Sequence, residues 1–176
     1  MLYLSSFRID TEFLGEYLDW FAARHVPDLL GVGFTSITGY LRDDRSAVCN
    51  LYVIPGVEVF GPEYQALTPV DPFRPRLAEH VHDGVRGVYR TTWSAGDLVA
   101  PAWLSVVPAM GVDTAAPTPR ELESLAGDPA FVAAALGSLV EAPVATDDAP
   151  RWRLVTGWSG PTPAAPGPLL RRLDAG

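Results

Sequence analysis

Residues 11–30, TEFLGEYLDWFAARHVPDLL, constrain the fold more than any other stretch of this chain. At 100° per residue, Phe13, Leu14, Tyr17, Leu18, Trp20, Phe21 and His25 share one arc of about 160°. Glu12, Glu16, Asp19 and Ala23 take the opposite side. A helix with so broad an apolar face has to lie flat on an equally apolar surface. Strand-like segments flank it, residues 2–9 before and GFTSITGYLR after. Asp10 or Thr11 caps its start, and Pro27 followed by GVGF marks its end. DDRS then makes a polar turn into AVCNLYVI, a continuously apolar strand of the kind covered on both faces. Residues 57–67 suit a short helix, TPVDPFRPR a loop, and VRGVYRTTW a last strand. Strand, helix, strand, strand, helix, strand is the split βαβ order of a ferredoxin-like α+β unit.

The remainder reads as a shorter, divergent copy. PAWLSVVPAM is a strand, residues 119–140 are helical with an interruption at Asp128-Pro129, and RWRLVTGW is a further strand. Neither a linker nor a charge run separates the two parts, and each carries a net charge of −4. The expected organisation is therefore one compact unit: a first half over 1–96, a divergent second half over 97–160, and a proline-rich tail over 161–176. The tail reads as extended, with LLRRL able to dock on a partner or on its own body.

Composition narrows the chemistry. All 13 basic residues are Arg and none is Lys. That removes Schiff-base, pyridoxal phosphate and P-loop enzymes, each of which needs a Lys amine. A net charge of −8 argues against nucleic acid as a partner. The lone cysteine, Cys49, lies in an apolar run and reads as an inert buried thiol, which excludes disulfides within the chain and Cys-pair zinc sites. No apolar run approaches membrane-spanning length and no signal-peptide pattern opens the chain, so a cytoplasmic location without membrane contact is expected.

His25 is the sharpest chemical candidate. It sits on the apolar arc, where a neutral imidazole is favoured and can act as a general base. A structural His at the helix end is the competing reading. Tyr3, Tyr17, Trp20, Tyr40, Tyr52, Tyr89 and Trp93 fall on predicted inner elements and suit the lining of a flat apolar cavity. Asn50 and Arg90 are polar residues in apolar strands, which need partners if buried. His80 and His82 in EHVHD share a face if extended, but no third ligand stands at a useful spacing, so no metal site is expected. There is no GxSxG elbow, and GVGF lacks dinucleotide-loop spacing.

Trp20-Phe21, His25-x-Pro27 and the Gly33-Phe34-led strand ending at Tyr40 resemble the EthD-like proteins of the dimeric α+β barrel superfamily. NLYVIPGVEVFGPEYQAL, with Tyr64 in its short helix, and Arg86–Arg90 extend the resemblance over about the first 93 residues. The second half lacks a counterpart of the Trp-to-His helix. The resemblance implies ferredoxin-like halves with antiparallel sheets forming a dimeric-type α+β barrel. Single-repeat relatives close such a barrel as homodimers, which makes a second copy one candidate partner, while a chain with two halves can close it internally. The function expected first is a cofactor-independent cyclase or isomerase acting on an apolar or aromatic biosynthetic intermediate. His25 is its base, Tyr52 or Tyr40 polarises a carbonyl, and Tyr17, Trp20, Tyr40, Asn50 and Arg90 bind substrate. A cofactor-independent monooxygenase and a non-catalytic small-molecule binder are the alternatives.

Overall fold

The computed structural model describes residues 1–96, 98, 101–108, 123–124, 127–161, 165 and 169–173. Strands β1 (Leu2–Ile9), β2 (Ser36–Arg42), β3 (Ala47–Val53) and β4 (Val81–Ala95) come from the first half. Strands β5 (Trp103–Pro108), β6 (Phe131–Val140), β7 (Trp152–Trp158) and β8 (Leu169–Arg172) come from the rest. They close one antiparallel barrel in the order β1-β3-β2-β8-β5-β7-β6-β4. Each half contributes its strands in the same internal order, with the first strand central and the fourth at the edge: β4-β1-β3-β2 and β8-β5-β7-β6. The seams are then equivalent, β2 with β8 and β4 with β6. The two equivalent sets of four strands thus close the barrel within a single chain, and no second copy is needed to complete the sheet. The tail supplies β8, so its Leu-Leu-Arg-Arg segment docks on its own body as a barrel strand.

Helices α1 (Leu14–Trp20), α2 (Val26–Gly31), α3 (Pro62–Leu67) and α4 (Phe73–His80) belong to the first half. A short 3₁₀ turn over Val57–Phe60 precedes α3. Two expectations are corrected. TPVDPFRPR is not simply a loop, because α4 begins inside it. Asp71 Oδ1 accepts the Phe73 N–H at 3.0 Å, and Pro75 falls in the first turn, where a missing N–H costs no intrahelical bond. Phe73 and Leu77, four residues apart, then pack toward the first sheet.

The second correction is that residues 131–140 form strand β6 and not a helix. Residues 119–122 and 125–126 lie outside the described residues. Alanine favours helix locally, but alternate positions Ala133, Ala135 and Gly137 on β6 meet the lumen, where small residues leave room for Tyr89 and Leu104. A Cβ at Gly137 would stand 2.6 Å from that of Tyr89. Closure of the barrel overrides the local preference.

Two apolar layers follow from the alternation along the strands. The lumen holds Leu2, Leu4, Tyr40, Cys49, Leu51, Tyr89, Leu104 and Val155. The outer face of the first half holds two clusters, one around Tyr3, Phe34, Tyr52 and Phe60, the other around Phe13, Leu14, Tyr17 and Phe21. Gly39 on β2 allows the second of these to sit close, since a Cβ there would lie 3.1 Å from Phe21 Cε1. No helix among the described residues is long and apolar enough to cross a membrane.

Candidate active site

The 11–30 helix is interrupted where chemistry is expected. Between α1 and α2, residues Phe21–His25 form a π-turn, and the Val26 N–H reaches back five residues to the Phe21 carbonyl. Pro27 accounts for it. Its ring has no N–H and would clash with the carbonyl four residues earlier, so the helix widens just before it. With five residues in the turn, His25 lies over Trp20, their ring centroids 4.6 Å apart, and farther from Phe21 at 5.5 Å.

His25 faces inward onto a cavity of about 460 Å³ between the helices and the outer face of the first sheet. That size suits a small organic ligand. The sheet contributes Tyr3 and Ser5 from β1, Asn50 and Tyr52 from β3, and Arg86 from β4; the helices contribute Tyr17, Trp20, His25, Tyr64 and Arg74. Tyr3 and Tyr52, paired across β1 and β3, stack on each other at 4.7 Å and form an aromatic floor.

A polar line crosses this floor. The Tyr52 hydroxyl is 3.2 Å from His25 Nε2 and is also hydrogen-bonded by Asn50. Asn50 Nδ2 donates to the Tyr17 hydroxyl at 2.9 Å, and that hydroxyl lies 3.2 Å from Asn50 Oδ1. When Tyr52 donates to Nε2, the imidazole carries its own proton on Nδ1. Burial pushes the His25 pKa down to about 3, helped by the nearby Arg74 charge and opposed by Asp71. Burial likewise drives Tyr52 well above the usual phenol range, reinforced by Tyr3, Tyr17 and Tyr64, and raises Tyr17. The resting network is therefore uncharged at neutral pH: a neutral imidazole joined to protonated phenols.

Asp71 anchors the helical wall. Its side chain is 4 % exposed, and Oδ2 accepts the Trp20 indole N–H at 2.9 Å. Arg24 and Arg74 flank it at 3.9 and 3.6 Å. This single carboxylate fixes Trp20, starts α4 and faces Arg74, yet neither Asp71 nor Arg74 stood out in the sequence. Their signal was the helical spacing of Phe73, Leu77 and His80 behind an Asp-Pro pair, hidden by the apparent breaker Pro75.

His25, Tyr52, Tyr17, Trp20 and Asn50 thus meet at one cavity. Tyr40 and Arg90 do not. Tyr40 alternates to the lumen side of β2, where its hydroxyl donates to the Pro101 carbonyl at 3.3 Å. Arg90 is exposed on β4 opposite Ser138. Arg86, on the same face four residues earlier, occupies the cavity instead. His80 Nδ1 and His82 Nε2 both meet Asp10, at 2.9 and 3.0 Å, a contact between β1, α4 and β4 that the sequence did not suggest. Among the described residues, no group of three or more His, Cys, Asp or Glu is arranged to hold a metal. Cys49 is buried beside Ser6, and burial raises its thiol pKa.

The strand pairing lets the two halves be compared. Tyr3 opposite Tyr52 and Ser5 opposite Asn50 in the first half match Trp103 opposite Trp158 and Ser105 opposite Thr156 in the second. There Trp158 is fully buried and its indole N–H donates to Thr156 Oγ1 at 2.9 Å. An indole satisfied by its own strand stands where the first half has the phenol that meets His25.

No family model matches the sequence, and no curated protein matches it. Solved structures do match the fold. An anthrone oxidase-like protein shares 14 % identity at a TM-score of 0.55, over 90 % of this chain and 73 % of its own. A protein provisionally named a monooxygenase, from Fusobacterium nucleatum subsp. nucleatum, shares 11 % at 0.53, over 90 % and 75 %. A further provisionally named monooxygenase, from Lactobacillus acidophilus, shares 11 % at 0.51, over 98 % and 92 %. Together with the two-repeat strand order, these likenesses establish the architecture: an antiparallel eight-stranded barrel of the dimeric α+β type.

Proposed function

We propose that the chain is a cofactor-independent monooxygenase of the EthD-like branch of this superfamily, acting on a planar phenolic substrate in the first-half cavity. The observation that carries the reading is the His25–Tyr52 pair, 3.2 Å apart over an aromatic floor. The neighbours named as monooxygenases and as anthrone oxidase-like favour oxygenation over the cyclase or isomerase chemistry that the same base would also serve.

In this reading the substrate ring lies among the aromatic side chains Tyr3, Tyr52 and Trp20 that line the cavity. A ring CH₂ acidified by neighbouring carbonyl and phenol groups loses a proton to Tyr52 as the Tyr52 proton moves to His25 Nε2. A buried imidazole this acidic is a poor base when the cavity is empty. The substrate anion formed beside it supplies the missing counter-charge, so the imidazolium is paired as it appears. The electron-rich carbanion then reduces dioxygen and forms the C–O bond. The peroxide takes back the proton, and loss of water leaves a ketone, so one CH₂ and one O₂ become one C=O and one H₂O.

Anthrone is a suitable probe, with oxygen uptake and product mass as readouts. The expected result is protein-dependent uptake of one O₂ per anthrone, with one oxygen atom from ¹⁸O₂ in the ketone formed. Binding of anthrone and related phenols without oxygen uptake would make the cavity a carrier site or place it in isomerase chemistry.

A further inference from the structure

The cavity is not electrically neutral. Two guanidinium groups, Arg74 and Arg86, line it, and among the described residues Asp71 is the one carboxylate within ion-pair distance of either. Arg74 is committed only in part. Its Nε is buried and makes no hydrogen bond, and its distance to Asp71 Oδ2, 3.6 Å, is that of an ion pair without one. Asp71 is itself shared with Arg24 and occupied by the Trp20 indole and the Phe73 N–H. Arg86 has no ion pair among the described residues. Arg86 stands opposite Ser5 on the sheet face that carries Tyr3, and the Arg74 guanidinium lies 5.9 Å from the Trp20 ring on the helical wall, so both border the cavity. A buried donor left without an acceptor is costly, and paired guanidinium forks match a planar carboxylate.

We propose that the substrate is an aromatic acid, its ring held among Tyr3, Tyr52 and Trp20 and its carboxylate between Arg74 and Arg86. This deepens the oxygenase reading and rests on it for the reaction, but the recognition itself is a binding property. The carboxylate neutralises the excess charge.

The test is calorimetric titration of the full chain with 1-hydroxy-2-naphthoate and with 1-naphthol, which share a ring and a phenol and differ in the carboxylate. The acid is expected to bind about tenfold or more tighter at low salt, with the advantage shrinking as salt rises. Arg86→Gln, at an exposed position, removes about tenfold from the acid and leaves 1-naphthol unchanged. Arg74→Gln does the same, with 1-naphthol binding as its control for folding. Equal affinity for the two ligands, or equal weakening of both by Arg86→Gln, would overturn the acid subsite. Failure of the oxygenase reading appears separately, as preference for the acid in a protein that takes up no oxygen with anthrone.

Discussion

His25→Gln is expected to lower the turnover of anthrone oxidation by about 100-fold or more while leaving KM within a few fold and the far-ultraviolet spectrum unchanged. The amide can still meet the Tyr52 hydroxyl, which His25 Nε2 approaches at 3.2 Å, so the wall of the cavity is kept. What it cannot do is take up a proton. A purely structural His25 would give the opposite pattern, lost stability with turnover preserved in the folded fraction. Steady-state oxygen uptake by the purified variant separates the two, because kcat reports the proton step and KM the binding surface.

The second large effect is on the fold. Asp71→Ala is expected to destabilise the chain by about 3 kcal/mol, measured as a lower urea midpoint with an unchanged slope. The carboxylate is nearly inaccessible and holds the Trp20 indole N–H at 2.9 Å and the Phe73 N–H at 3.0 Å. Its removal orphans both donors and takes from Arg74 the carboxylate 3.6 Å away. Asp71→Asn keeps an acceptor for Trp20 and should cost about half as much. An alanine variant as stable as the parent would mean that Trp20 and α4 are positioned by packing alone.

How far the sequence carried depends on which interactions decide each element. The 11–30 arc was legible because a broad apolar face has one use, and His25, Tyr17 and Trp20 followed from it directly. AVCNLYVI was legible as a strand, and strand parity puts Asn50 and Tyr52 on one face of β3, where both reach the cavity. Tyr40 failed on parity: a strand sends alternate residues to opposite sides, and nothing local says which side of β2 is the lumen. Arg90 and Arg86 share a face, so the choice between them depended on how far β4 runs past the helices. The π-turn at Phe21–His25 was signalled by Pro27 but looked like a helix end. Strand β6 was hidden most deeply, since Ala133–Leu136 favours helix until the lumen demands small residues in a closed sheet.

All of the proposed chemistry requires that His25 be kept neutral by its burial. Its pKa of about 3 has a thermodynamic consequence. As pH falls from about 6.5 toward 3, the unfolded chain takes up a proton that the folded chain refuses, so stability falls by roughly 1.4 kcal/mol per pH unit over that window and is unaffected by this group above it. The most direct measurement is a side-chain NMR titration of the chain, whose three histidines give three resolvable rings. The His25 ring, assigned with His25→Gln, should remain a neutral imidazole protonated on Nδ1 down to pH 4. A His25 ring that titrates near pH 6.5, as an exposed imidazole does, would contradict the account.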